Sequence, residues 1–187
     1  MEKNKKCRIK ASKLNMLGDK MGQQVSWLLM GRHTEILKES FGDDLLGVAI
    51  FGSLARGTAK HPGSDIDILI VVKGIEKLSI GERIKLTMEA EKKLKKTVEY
   101  RKFNEVFGCS PKIQPVVLTP EELRRHPPIL LDLTEDLVIL HDKGIIREEI
   151  EKLKRRLKEL GAKKIKTGDS WFWILKPDLR PGEEVEL

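Results

Sequence analysis

The sequence predicts an α/β (α+β) fold, a small mixed β-sheet of about three to five strands with helices packed against it. Three observations carry this. Short apolar runs rich in β-branched residues, GVAIF at 47–51, IDILIVV at 66–72 and IQPVVLT at 113–119, read as strands. Longer stretches with apolar residues at helical spacing, chiefly 80–104 and 144–160, separate or follow them. With 187 residues, 40% of them hydrophobic, the chain has enough material for one domain with a buried core.

The elements follow in order. Residues 1–13 (MEKNKKCRIKASK) form a basic tail without apolar periodicity. From Asp19 to Phe41, the residues Met21, Val25, Leu28, Leu29, Ile36 and Phe41 recur at the spacing of a helix face, with Asp19 in N-cap position and Gly31 marking a point of interruption. The run at 47–51 ends at glycine and reads as a central strand. The run at 66–72, bounded by Gly63 and Gly74, is a stronger strand with both faces covered. Ile80 to Asn104 is highly charged, with Ile84, Met88, Leu94 and Val98 among its apolar points, and reads as a helix laid across the sheet. In the third strand, 113–119, Pro115 removes an amide donor and pushes the strand towards an edge or a bulge.

Thr119 to Glu122 (TPEE) supplies an N-cap, a proline at the first helical position and a glutamate three residues after the cap, which together start a short helix. PPILLDL at 127–133 opens another, and LVIL at 137–140 either extends it or forms a strand. Ile146, Ile150, Leu153, Leu157 and Leu160 then recur every three to four residues before Gly161, a helix with a C-terminal stop. WFWIL at 171–175 is an aromatic strand; its rings could stack bases if they stood exposed beside a basic groove. The division that results is a tail at 1–18, a core at 19–142, and a C-terminal helix and strand extension at 143–187 packed on the core.

The formal net charge of +7 favours polyanionic company, such as nucleotides or nucleic acid. The only cysteines, Cys7 and Cys109, stand at no zinc-binding spacing from His33, His61, His126 or His141, so a structural zinc site is not expected. The longest mainly apolar run, 66–72, is far short of the roughly 20 residues of a membrane helix. A soluble, cytoplasmic protein with no membrane partner is the expectation.

Chemistry concentrates in FGSLARGTAKHPGSDIDILIVV, residues 51–72. Side chains alternate along a strand, so Asp65 and Asp67 point to the same side at its start. Two adjacent carboxylates repel unless a cation neutralises them, and hard oxygen donors suit Mg²⁺, which usually shares its coordination shell with substrate phosphates. The strand ending at Gly52 and Ser53 turns into LAR, where free amides and a hydroxyl can meet an anion. Arg56 and Lys60 add positive charge nearby, and Ser64 tightens the turn into the acidic strand.

The order strand, Gly52-Ser53, Arg56-Gly57, Ser64-Asp65, Asp67, apolar strand resembles the signature of the DNA polymerase β-like nucleotidyltransferase superfamily. The resemblance is clearest over 47–72 and extends more loosely over about 20–120. It implies the nucleotidyltransferase fold and a catalytic set of Asp65, Asp67 and Ser53. One or two Mg²⁺ ions would be held by Asp65 and Asp67, and the triphosphate of an NTP, with ATP expected, by Gly52, Ser53, Arg56, Lys60 and Ser64. The reaction implied is transfer of AMP to a hydroxyl of a protein, an RNA or a small molecule. A HEPN-type helical protein is a partner suggested by the same resemblance. Oligomeric state stays open.

The superfamily usually draws a third carboxylate from a neighbouring strand. Here Gln114 stands roughly at that place, and a neutral amide cannot act as a general base. Glu99, Glu105 and Asp132 are the alternative acids. A second reading follows from Gln114, a module that binds nucleotide, RNA or a protein partner without turnover.

Overall fold

The computed structural model describes residues 16–60, 63–168, 170–180 and 182–187; the basic tail at 1–13 lies outside them. The chain runs α1 (Met16–Phe41), a 3-10 turn (Gly42–Asp44), β1 (Leu45–Phe51), α2 (Gly52–Ala55), β2 (Ile66–Val72), α3 (Ile80–Leu94) and α4 (Val98–Phe107). It continues through β3 (Ile113–Leu118), α5 (Pro120–Arg124), α6 (Ile129–Leu133), β4 (Leu137–Asp142), α7 (Ile145–Leu160), β5 (Lys163–Thr167) and β6 (Ser170–Ile174). The first four strands form one sheet in the order β3-β2-β1-β4, and β5 and β6 form a separate hairpin. β1 is antiparallel to β2 and β4, whereas β2 and β3 are parallel, so the sheet is mixed.

Alternation along the two central strands splits the core into two layers. Val48 and Ile50 of β1 with Ile66, Ile68, Ile70 and Val72 of β2 pack under α1, α3 and α4. Ala49, Phe51, Leu69 and Val71 face α5, α6 and α7, which contribute Leu123, Leu130, Leu133, Ile146, Ile150 and Leu153. The start of α7 lies so close to β1 that a β-carbon at Gly47 would collide with the Ile146 side chain. The Asp142 carboxylate fixes that start by accepting from the amides of Gly144, Ile146 and Arg147 at 3.0 to 3.1 Å.

Several expectations needed correction. α1 begins at Met16, so Asp19 lies inside it and not at its cap, and it runs unbroken past Gly31. A β-carbon at Gly31 would meet nothing within 4 Å, so this glycine sits on an open face and its intrinsic cost of about 1 kcal/mol is borne by the rest of a long, packed helix. The buried stripe of α1 is Val25, Leu29, Met30, His33, Ile36 and Leu37, leaving Met21 and Leu28 exposed.

The single helix over 80–104 is two, because the Thr97 hydroxyl accepts from the Tyr100 amide at 3.3 Å and caps a new start. Arg83, Thr87, Ala90 and Leu94, then Tyr100, Phe103 and Phe107, are buried, while Ile84, Met88 and Val98 face solvent. Arg83 can be buried because its guanidinium donates to the Leu78 carbonyl at 3.0 Å and to Glu122 at 2.6 Å. LVIL is strand β4, paired along the open side of β1. The caps at Thr119 and Gly161 and the edge position of the Pro115 strand are as expected. No helix among the described residues is long and apolar enough to cross a membrane.

His33 is fully buried, and neither ring nitrogen finds a hydrogen-bond partner among the described residues. Burial lowers its pKa from 6.5 to about 4. The unfolded chain therefore binds the proton more tightly, and the stability associated with neutral His33 is full above pH 6.5 and is lost as pH falls towards 4. Melting curves across this window should show a loss on the order of 3 kcal/mol that is absent in His33→Leu; parallel curves for the two proteins would contradict the buried neutral ring.

Candidate active site

Strand register brings the two halves of residues 51–72 together. In the antiparallel β1–β2 pair Phe51 lies opposite Asp67, so the chain leaves β1 and enters α2 beside the first residues of β2. Gly52 takes φ +72°, in the left-handed region, and a β-carbon there would collide with Asp67 Oδ2. Only glycine meets both conditions. The turn beyond is tied by Arg56 N donating to Gly52 O at 3.1 Å, Gly57 N to Leu54 O at 3.1 Å and Thr58 N to Ser53 O at 2.9 Å. Buried Leu54 anchors it in the core. Gly52 and Ser53 thus occupy a helical start, where amides lack intrahelical acceptors.

The loop from Gly57 to Asp65 is held at both ends. Gln23 of α1 donates to the Gly57 carbonyl at 2.5 Å, and the Ile66 amide to Lys112 O at 2.8 Å. Ser64 Oγ accepts from the Lys60 amide at 2.8 Å, so this hydroxyl serves the turn. Lys60 is exposed on the loop.

Asp65 immediately precedes β2 and Asp67 lies within it. Partial burial raises the Asp67 pKa, the neighbouring charge of Asp65 raises it further, and Arg56 opposes both. Asp65 Oδ1 is buried and has no hydrogen-bond partner among the described residues; the Lys112 ammonium forms a long ion pair with it at 3.8 Å, beyond hydrogen-bond reach. A half-buried carboxylate pair with an oxygen left without a hydrogen bond offers hard oxygen donors that fit a divalent cation of the Mg²⁺ type. Among the described residues no group of three or more His, Cys, Asp or Glu side chains converges on a metal position, so the pair stands without a third acid.

Gln114 of β3 is the register partner of Asp67 and is exposed beside it on the same face of the sheet. The other acids are elsewhere. Glu99 and Glu105 belong to α4, which covers the face of the sheet opposite to Asp67. Asp132 accepts from the indole nitrogens of Trp171 at 2.8 Å and Trp173 at 3.3 Å, pinning the β5–β6 hairpin.

Arg56 is also engaged, in an ion pair with Asp136 at 3.1 Å and over the Trp171 ring at 5.9 Å. Asp136, in the turn before β4, is an acid that no local motif marks. Phe51 pairs with Leu137, which brings that turn beside α2 across 80 residues of chain. The strand character of LVIL, paired against β1, is the signal that places it.

The chain is similar to known proteins by family model, by sequence and by structure. The family model described as the nucleotidyltransferase domain matches residues 30–180. A protein of Methanocaldococcus jannaschii, named as a candidate protein adenylyltransferase, is 27% identical over 126 residues, covering 66% of this chain and 77% of its own. Among solved structures, a candidate nucleotidyltransferase from Sulfolobus solfataricus has 24% identity and a TM-score of 0.47, covering 72% of this chain and 94% of its own. A chain from the structure of a tri-AMPylated Shewanella oneidensis HEPN toxin in complex with MNT antitoxin has 13% identity and a TM-score of 0.36, covering 76% of this chain and 92% of its own. The matched family span takes in most of the chain, including the turn at Gly52 and the acids Asp65 and Asp67, and the chain belongs to the nucleotidyltransferase family.

Proposed function

We propose that this nucleotidyltransferase moves AMP from ATP to a hydroxyl acceptor in an Mg²⁺-dependent reaction. The observation that carries the reading is the contact between the Gly52 backbone and the Asp67 carboxylate, which sets the helical start at Gly52 and Ser53 against an acid pair whose lysine partner stays 3.8 Å away. Asp65 and Asp67 would hold Mg²⁺, whose positive charge, when bound, offsets the negative charge of the triphosphate. The amides at Gly52 and Ser53 and the Ser53 hydroxyl would receive the β and γ phosphates. Arg56 and Lys60 add positive charge, and Ser64 keeps the loop closed through Lys60. Catalysis then consists chiefly of aligning the α-phosphorus with the acceptor hydroxyl.

The relative from Methanocaldococcus jannaschii, by its name, favours a protein as the acceptor. A HEPN-type protein is the candidate within that class, with RNA and small molecules as the other outcomes of the assay. One observation favours a second reading, nucleotide binding without turnover. Gln114, opposite Asp67, can orient a hydroxyl but cannot take its proton. Incubation with Mg²⁺, α-labelled ATP and a lysate separates the two, since labelled acceptor or released pyrophosphate requires the enzyme.

In that assay Asp65→Asn and Asp67→Asn should each lower transfer by about 10²-fold or more. Gly52→Ala should do so by ~10²-fold, because the new methyl displaces the Asp67 carboxylate. Full transfer by the double Asn variant would overturn the metal assignment.

The same pair should tax stability. The folded pKa of Asp67 lies above its ordinary 3.8, so the folded state holds the proton more tightly, and this contribution to stability is lost as pH rises from 3.8 through the folded value. In EDTA at pH 7, Asp67→Asn should therefore melt higher than the natural protein, with the gap narrowing when Mg²⁺ is added or pH is lowered below 3.8. A lower melting temperature for the variant in EDTA would contradict a destabilising charge at Asp67.

A further inference from the structure

Arg56, whose charge acts on Asp67, also borders a cleft. The cleft, of about 200 Å³, is lined by Arg56, Glu135, Asp136, Lys164, Lys166 and Trp171. That is below the roughly 300 Å³ at which pockets hold a whole drug-sized ligand, and suits one ring system of a larger molecule.

Its aromatic wall is built. Trp171 is 41% exposed, yet its indole N–H donates to Asp132 at 2.8 Å, which fixes the ring. Lys164 is held by Glu135 at 2.8 Å and Asp132 at 3.4 Å, with its ammonium 4.8 Å from the Trp171 ring centre. Arg56, at 5.9 Å from that centre, stands farther off than a stacked plane would. Two of the three cations in the wall are paired, Arg56 with Asp136 and Lys164 with Glu135, and Lys166 stands beside them. A phosphate would meet these carboxylates, whereas a neutral, planar heterocycle carrying N–H donors would find both a ring to stack on and oxygens to accept from it.

We propose that Trp171 is the platform on which the base of the nucleoside triphosphate stacks, with Glu135 or Asp136 accepting from an exocyclic amine. Trp171 is then a specificity-determining residue that favours amine-bearing bases such as adenine over uracil. The inference rests on the reading of Gly52, Asp65 and Asp67 as the phosphate end of the site.

Calorimetric titration in Mg²⁺ with ATP, UTP and tripolyphosphate tests it. The natural protein should bind ATP more tightly than UTP or tripolyphosphate. Trp171→Ala should weaken ATP by roughly 5- to 150-fold, the range expected for loss of one base–aromatic stack, and leave tripolyphosphate unchanged. Trp171→Phe should restore most of the affinity. Unchanged ATP affinity in Trp171→Ala, or ATP binding to the natural protein no tighter than tripolyphosphate, would overturn the base platform alone. Failure of the natural protein to bind tripolyphosphate would overturn both the platform and the phosphate site beneath it.

Discussion

The site depends on one steric and electrostatic contact, the carboxylate of Asp67 lying against the backbone of Gly52. It exists because Phe51 and Asp67 are partners in the β1–β2 register. A slip of one residue would turn Asp67 into the layer under α1, α3 and α4 and leave its carboxylate among apolar side chains. That slip is opposed by both layers of the core, since Ile68 and Ile70 would have to exchange faces with Leu69 and Val71. Hydrophobic packing thus fixes the relative position of a glycine and an acid that lie 15 residues apart along the chain.

Among the described residues, the charge of the pair is only partly balanced. Arg56 could neutralise it, but its guanidinium is drawn to Asp136, and Lys112 stops 3.8 Å short of Asp65. A folded chain that keeps two neighbouring carboxylates partly desolvated gives up stability which binding of a cation and a polyphosphate would return. The pairing of Arg56 with Asp136 also couples the acid pair to the cleft at the β5–β6 hairpin, because one side chain borders both. This is how residues far along the sequence come to stand beside the turn at Gly52.

What the sequence made legible follows from local chemistry. The β-branched runs of β1, β2 and β3, the capping box at Thr119 and Glu122, and the stop at Gly161 declare themselves within a few residues. The aspartates at 65 and 67 were legible for the same reason, a period-two pattern beside a glycine turn. Features set by tertiary packing were not. The face of α3 that turns inward holds Arg83 and Thr87, which no apolar stripe announces, and burial there depends on Glu122 some 39 residues away. β5 reads KKIKT, with a single apolar residue, and becomes a strand only through its pairing with the aromatic residues of β6. Asp136 and Trp171 reach Arg56 only after β4 has joined the sheet and Asp132 has pinned the hairpin.

A crystal structure with Mg²⁺ and a non-hydrolysable ATP analogue measures the central contact directly. The phosphates should lie along Gly52 and Ser53 with the cation shared between them, Asp65 and Asp67. Phosphates bound elsewhere on the molecule, with Asp65 and Asp67 turned to solvent and free of metal, would contradict the assignment.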